Sequence, residues 1–505
     1  MSAGRSRYDQ AAKTQRITKF LVAARESAID LNLKRFVFLR VLVSSWLTLP
    51  FCALVAGPTP AQTQERADIL ISGGTVVTMD SSRRIIDKGM VAIRGDRIIA
   101  VGPASELAGR FQAAQEISAA NQIVLPGLVN THNHAPMVLF RGIADDMALM
   151  DWLEKFIFPA EARNVSPEFV QAGTDLACLE MIRSGTTTYA DMYYFEDKVA
   201  ETTNQAGVRG VLGQTILGFP SPDSRNPEEA LKYTERFIQR WRGSSLIVPA
   251  VAPHAPYTNS PETLRACKGL ADKYGVPMII HVSETRDEVR QIKAKYKTTS
   301  TQWLEKLGVL GPNVIFNHGV WLTEQDLGII RRRGLGVTHN PESNMKLASG
   351  SAPVLRMLAL GIPVGLGTDG AASNNDLDMF EAMSTAARLQ KLVSGNPAAL
   401  PAEKVVELAT LGGARVLGLH KEIGSLETGK KADLITISTE PAHAVPMYNV
   451  YSHLVYALKG ADVRLSVING KIAMLDGVVL TLDEGKIKQK ARIIQERVLS
   501  SLKSR

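Results

Sequence analysis

At 505 residues the chain exceeds the ~250–300 residues at which single hydrophobic cores stop growing, so one large domain with a smaller companion is expected. Its 45% hydrophobic and 21% charged residues are ordinary for a globular enzyme, and three widely spaced cysteines (Cys52, Cys178, Cys267) exclude a disulfide framework or a thiolate metal site. The formal charge of +8 sits at the two ends: residues 1–64 carry nine Lys/Arg against three Asp/Glu, residues 483–505 seven against three, and the stretch between them 42 against 44. Basic ends of this kind are solvated tails or targeting segments, and without interleaved aromatic residues they give no reason to expect nucleic acid as a partner.

The first segment, residues 1–66, reads as an arm. Lys34-Arg35 precede an apolar run from Phe36 to Ala56, interrupted by Arg40, and small residues follow through Thr59-Pro60-Ala61. A charged lead, an apolar core and a small-residue exit resemble a secretory signal. The run is also just long enough to span a bilayer. Export to the periplasm or beyond is the reading adopted. The alternatives are a retained anchor, which alone would make the membrane a partner, and a cytoplasmic protein carrying a spurious arm.

From Asp68 short alternating strands begin: Ile69–Val77, Gly89–Ile93 and Arg97–Val101, with Gly95-Asp96 as a hairpin turn. Asp433–Ile437, Val463–Ile468 and Lys471–Met474 have the same character near the other end, with Asn469-Gly470 as their turn. The two flanks, 67–122 and 423–482, are therefore expected to build one small β-sandwich together, followed by a basic helix or tail at 483–505. Residues 123–422 read as strand–helix repeats. Eight strands are expected, at Ile123–His134, Thr186–Tyr194, Gly207–Leu217, Leu246–His254, Met278–Glu284, Val314–His318, Leu335–His339 and Val364–Asp369. Helical patterns between them include Pro167–Arg183, Pro227–Arg240, Pro261–Tyr274, Thr299–Leu307 and Thr323–Arg333. This is an α/β class chain with a (β/α)8 TIM-type barrel, whose site lies at the C-terminal ends of the strands. An open doubly wound sheet would want a Gly-rich phosphate loop, and none is found.

The histidines fall at those strand ends: His132, His134, His254, His281, His318 and His339, with Asp369 ending the last strand. In a strand, alternate side chains share a face, so His132 and His134 can point inward together. His132, His134, His281 and Asp369 offer three nitrogens and one oxygen, a set that suits one divalent metal ion, Zn2+ or almost equally Fe2+. Such a sphere leaves a position for water, whose pKa the ion brings toward neutrality. Glu284, three residues beyond His281, can reach over the ion and shuttle a proton.

The strings PGLVNTHNH, SGTTTYADMY, HVSET, NHGVWL, HNPESNMKLASG and GLGTDGAASNN resemble the amidohydrolase superfamily, in its methylthioadenosine/S-adenosylhomocysteine deaminase-like branch with the related chlorohydrolases. The resemblance runs from about Asp68 to about Gly477. It implies a mononuclear metal on His132, His134, His281 and Asp369. It also implies a proton donor at Glu284, and His318 and Asp369 handling the attacking water. Substrate contacts carried over are Glu161 with ribose hydroxyls, His254 with base or sugar, Ser373 with the base edge, Arg225 after the third strand, and Glu284 again. A second family arginine, near the end of that strand, is Gln214 here.

The function so implied is hydrolysis of carbon–nitrogen bonds other than peptide bonds: deamination of an amino-substituted N-heterocycle such as an adenosine derivative. The partners are that small heterocycle and water, in a chain that could form homo-oligomers. A triazine chlorohydrolase or aminohydrolase, or a guanine or cytosine deaminase, would use the same metal chemistry. A catalytically silent binding barrel is disfavoured because all four ligands and both proton shuttles are present.

Overall fold

The computed structural model describes residues 64–503. The signal-like or anchor-like segment and Cys52 lie outside the described residues. Among the described residues no helix is long and apolar enough to cross a membrane. Cys178 and Cys267 are free and buried.

The first five strands are β1 (Glu65–Val77), β2 (Ile85–Arg94), β3 (Arg97–Pro103), β4 (Phe111–Ser118) and β5 (Gln122–Pro126). The barrel follows with β6 (Leu128–Asn133), β7 (Thr186–Tyr193), β8 (Arg209–Ile216), β9 (Ile247–Pro253), β10 (Met278–Val282), β11 (Val314–His318), β12 (Gly336–His339) and β13 (Val364–Leu366). The chain returns to the small domain with β14 (Leu434–Ser438), β15 (Val463–Ile468), β16 (Lys471–Leu475) and β17 (Val478–Val479).

Both flanks do build one sheet, of nine strands in the order β17-β16-β15-β14-β5-β1-β2-β3, with β4 parallel to the first half of β1. The two flanks join where β14 pairs antiparallel with β5, Leu434 opposite Pro126 through Ser438 opposite Gln122. Ile71, Val91, Ile93, Leu434 and Val467 pack together as the core of this domain. The Asn469-Gly470 turn has the left-handed geometry of a two-residue hairpin, φ +51° and +75°. A Cβ on Gly470 would sit 1.9 Å from the Gly95 carbonyl oxygen, so the hairpin turns of the two flanks touch through bare backbone.

One expected element divides. The run Ile123–His134 is not a single strand: β5 belongs to the small sheet and β6 opens the barrel. They part at Gly127, where a Cβ would lie 2.1 Å from Thr187 Oγ1. On either side of Pro126-Gly127 the residues from Ile123 to Val129 are apolar and buried, so their periodicity carries no sign of the break.

The eight barrel strands are parallel and lie in chain order. The helices between them begin at capped positions, with Ser166, Asn226 and Ser260 each accepting a backbone N–H ahead of a proline at the first turn. Thr323 and Asp326 form a reciprocal capping box. The interior is a packed core: Val129, Ala190, Met192, Val211, Ala250 and Ile279 cluster with Ala414, Val416 and Leu417, which close one end. The helix Glu484–Lys503 is docked rather than loose. It buries Ile487, Ile494 and Val498, and binds Glu168 through Lys490 and Arg497.

A buried ion pair links barrel to small domain. Arg209, at the start of β8, makes a forked contact to Asp433 (Nε–Oδ2 2.8 Å, Nη2–Oδ1 3.1 Å), and Asn469 N–H donates to Asp433 Oδ1 at 2.6 Å. Removing one partner strands the other charge in a dry interior. Asp433→Ala is therefore expected to cost about 3–5 kcal/mol, read as a lower urea midpoint with an unchanged slope.

Candidate functional site

Barrel closure is what assembles the site. Between the first and last strands, Thr131 Oγ1 donates to Leu366 O (2.9 Å), Asn130 Nδ2 to Thr368 Oγ1 (2.7 Å), and the Asp369 N–H to His132 O (3.0 Å). The last bond joins two expected ligands 237 positions apart in the chain through their own backbones.

Around this seam the donors converge. Asp369 Oδ1 lies 3.4 Å from both His132 Nε2 and His134 Nε2. Two donors each ~2.0–2.1 Å from a tetrahedral cation would stand ~3.3 Å apart, so this spacing is that of a shared coordination sphere. The potential ligand atoms of His132, His134 and Asp369 lie within 4.8 Å of one another, as do those of His132, His281 and His318. The rings of His132 and His281 are 5.0 Å apart.

The second partners of these rings fix their tautomers. His134 Nδ1 is 2.6 Å from Met192 O and His281 Nδ1 is 2.8 Å from His254 O. A carbonyl only accepts, so each Nδ1 carries the proton and each Nε2 presents a lone pair. His132 is 1% exposed and neither of its ring nitrogens has a hydrogen-bond partner. An orphaned imidazole in a dry site is what a metal ligand looks like without its ion.

Electrostatics agree. Burial holds His132 down to about 4 against the pull of Asp369, and drives His134 and His281 below their ordinary values as well. They are neutral donors at pH 7. Burial alone would raise the Asp369 pKa, but the imidazoles around it, His132 first and then His318 and His134, hold it well below the usual range. Three neutral nitrogens and one carboxylate fit a divalent cation.

Glu284 behaves oppositely. Burial first, then the charges of Asp369 and Glu288, push its pKa well above 4.5, toward the protonated form. It faces His318 Nε2 across 3.7 Å, and that same nitrogen lies 4.0 Å from Asp369 Oδ2. His318 Nδ1 is held by Asn344 Oδ1 at 2.9 Å. Ser343 Oγ donates to Asp369 Oδ2 at 2.7 Å. Ser283, His318 and Asp369 have φ of +55°, +72° and +65°, a left-handed conformation costing about 1–3 kcal/mol each that turns these strand ends over the barrel mouth.

The pocket above the donors encloses about 600 Å3, its open mouth included. His134, His254, His281, Glu284, His318, Asp369, Glu161 and Ser373 all line it. One wall is apolar, built by Leu149, Trp152, Leu153, Ile157 and Phe158. Glu161 is buried and accepts from Tyr193 OH (2.8 Å) and Tyr194 OH (3.4 Å).

Two expectations need correction. Arg225 does not reach the pocket: its side chain is 88% exposed and its guanidinium is held by Glu229 four residues on. Gln214 faces outward from β8 onto Asp223 (2.8 Å), while its neighbour Thr215 faces the pocket, because alternate strand residues point to opposite faces. His339 ends β12 fully buried and does not line the pocket. The sequence reading gave no role to Ser343, Asn344 or Asp191, whose Oδ1 accepts from Ala135 N–H (2.5 Å) just after His134. Their signal was present, as polar residues within HNPESN and TTTYADMY, but their partners lie on other strands.

The amidohydrolase family model matches residues 123–473. The chain belongs to the amidohydrolase family. It is 49% identical over 433 residues to a 5-methylthioadenosine/S-adenosylhomocysteine deaminase of Syntrophobacter fumaroxidans, covering 86% of this chain and 99% of that one. It is 45% identical to a 5'-deoxyadenosine deaminase of Methanosarcina mazei, covering 87% and 100%. The crystal structure of an adenosine deaminase from Xanthomonas campestris with bound zinc superposes with a TM-score of 0.85 at 38% identity, covering 86% and 100%. In this amidohydrolase the donors are placed so that they could hold one cation jointly. His132→Ala is therefore expected to lower bound metal to well under one equivalent, measured by elemental analysis of purified protein, while the barrel keeps its far-ultraviolet dichroism.

Proposed function

We propose that the chain hydrolytically deaminates adenosine derivatives, replacing the exocyclic amine of the base by oxygen and releasing ammonia. The observation that carries this is the placement of two carboxyls on either side of His318 Nε2, Glu284 at 3.7 Å and Asp369 at 4.0 Å, with burial pushing the first toward its protonated form and the imidazoles holding the second toward its ionised form. The names of the deaminases it is similar to support the adenosine core as substrate.

The reaction needs four proton movements: one off water, one onto a ring nitrogen, one onto the departing amine and one off the adduct's hydroxyl as the carbonyl forms. A single divalent cation on His132, His134, His281 and Asp369 (Zn2+, with Fe2+ as the alternative) supplies, when bound, the Lewis acidity that brings a water's pKa toward neutrality. Asp369, the ionised carboxylate, takes the proton that leaves the attacking water. His318, whose Nδ1 is held by Asn344, orients that water through Nε2. Glu284 donates its proton to the ring nitrogen beside the attacked carbon, so negative charge does not accumulate on the ring. Asp369 then returns its proton to the leaving nitrogen, and as ammonia departs the hydroxyl proton of the adduct passes to the Glu284 carboxylate, which restores the acid and leaves the carbonyl. No covalent enzyme intermediate is needed.

The walls fit the substrate. The apolar side, with Trp152 and Phe158, suits a flat heterocycle, and Glu161 suits a ribose diol. His254 and Ser373 stand at the edges of the same pocket, and Ser373 Oγ is already tied to Gly370 O at 3.1 Å.

Ammonia release from adenosine, 5'-deoxyadenosine, methylthioadenosine and S-adenosylhomocysteine tests the reading, with guanine, cytosine and a triazine alongside. Turnover confined to the last three would overturn it. Glu284→Gln is expected to keep its metal and lose about 10²–10⁴-fold in kcat. Burial raises the Glu161 pKa to about 7 against the hydrogen bonds from Tyr193 and Tyr194. The carboxylate that accepts from the ribose is therefore present above that pH and lost below it. KM should rise as pH falls through about 7, and Glu161→Gln should show a high KM that no longer depends on pH in that range.

A further inference from the structure

The turn that carries Glu284 is held by a second buried carboxylate that the mechanism above does not use. Glu288 accepts the backbone N–H of Ser283 on Oε1 and that of Glu284 on Oε2, each at 2.7 Å, and Ser300 Oγ donates to Oε1 at 2.9 Å. Glu288 is 2% exposed, and no ion pair joins it to a cation among the described residues.

Its position in the helix Arg286–Tyr296 makes this unusual. Thr285 is the N-cap and its hydroxyl already accepts the Glu288 N–H at 3.2 Å. A glutamate at the third helical position ordinarily closes a capping box by reaching back to the N–H of the cap residue itself. Here the carboxylate reaches past Thr285 to the two residues before it. Ser283 at φ +55° is what lets these two consecutive N–H groups converge on one anion. The opposite side of the turn is tied as well, with Trp321 N–H donating to Ser283 O at 2.9 Å. A buried carboxyl without a cation is a costly way to cap a helix that a threonine already caps. Its two oxygens fix instead the main chain from which the Glu284 side chain departs.

We propose that Glu288 is a positioning residue for deamination, clamping the Ser283-Glu284 backbone so that the Glu284 carboxyl stays aimed at the pocket opposite His318. The inference rests on the reading of Glu284 as proton donor. It predicts an effect on the chemical step, exerted through Glu284, with the metal and the substrate wall untouched.

The test compares Glu288→Gln, Glu284→Gln and the double variant, assayed by ammonia release from methylthioadenosine with metal content measured on each. In Glu288→Gln an amide NH2 faces one of the two backbone donors and the clamp opens. Expected are a full metal complement, a KM within about threefold of wild type and a kcat lower by about a hundredfold, the scale of an ångström-sized misplacement. The double variant should be no slower than Glu284→Gln, because both changes disable one device. A wild-type kcat in Glu288→Gln, losses that multiply in the double variant, or a fall in kcat that tracks lost metal would each overturn the proposal. Should Glu288→Gln fail to accumulate as folded protein, Ser300→Ala removes one donor to the clamp and leaves the turn intact. There a kcat lower by about fivefold, on the scale of one hydrogen bond, is expected, and an unchanged kcat overturns the proposal. Full activity in Glu284→Gln would sink the proton-donor reading itself. An inactive Glu284→Gln beside a fully active Glu288→Gln would remove only the positioning role.

Discussion

The hydrogen bond from the Asp369 N–H to the His132 carbonyl is the contact on which the chemistry depends. It lies on the seam where the last barrel strand meets the first. Eight parallel strands could in principle lie in an open sheet, with β6 and β13 at opposite edges. In that arrangement His132 and His134 would stand several strands away from Asp369, and no shared centre could form. Side chains complete the closure: Asn130 and Thr131 on one strand engage Thr368 and Leu366 on the other. Residues whose hydrogen bonds shut the barrel are thus interleaved with residues that present donors to its mouth, and stability and site are built from one stretch of chain.

Around that seam the protein pushes two carboxyl groups in opposite directions within one pocket. Asp369 is surrounded by imidazoles and by the Gly370 N–H and Ser343 hydroxyl, which favour its charge. Glu284 has burial and two neighbouring anions, which favour its proton. The separation is set by the immediate surroundings, since both groups are buried and both face His318. One carboxyl can accept a proton while the other donates one at the same pH, the requirement for adding water to a ring and expelling an amine. The left-handed backbone at Ser283, His318 and Asp369 belongs to the same economy: strain at three strand ends is held in place by the packed barrel beneath.

Much of this was legible in the chain. Strand and helix positions in the barrel follow from apolar runs ending in polar residues and from Ser/Thr/Asn caps ahead of helices, which are local signals. The helix Pro261–Tyr274, for example, begins after Ser260 and stops at Gly275 in the left-handed conformation. The donor set was visible because histidine is rare here, nine in the whole chain, and six fall at strand ends. The break at Gly127 was hidden because the strands on either side are both fully buried. Arg225 was placed in the pocket by the family resemblance alone, and that does not reveal that Glu229, one helical turn on, captures its guanidinium. His339 matched the pattern of its neighbours and yet lies buried outside the pocket.

By itself the sequence determined the periodic elements, the two-flank small domain, the set of candidate metal ligands and the presence of an acid three residues beyond one of them. Those features rest on residue type and short-range order, which each segment carries alone. Tertiary structure decided which nitrogen of each imidazole faces the centre, which carboxyl is ionised, which strand residue turns inward at β8, and that Glu288 reaches behind its own helix cap. These depend on carbonyls, hydroxyls and burial contributed by segments far away in the chain, and they come into being only when the barrel closes.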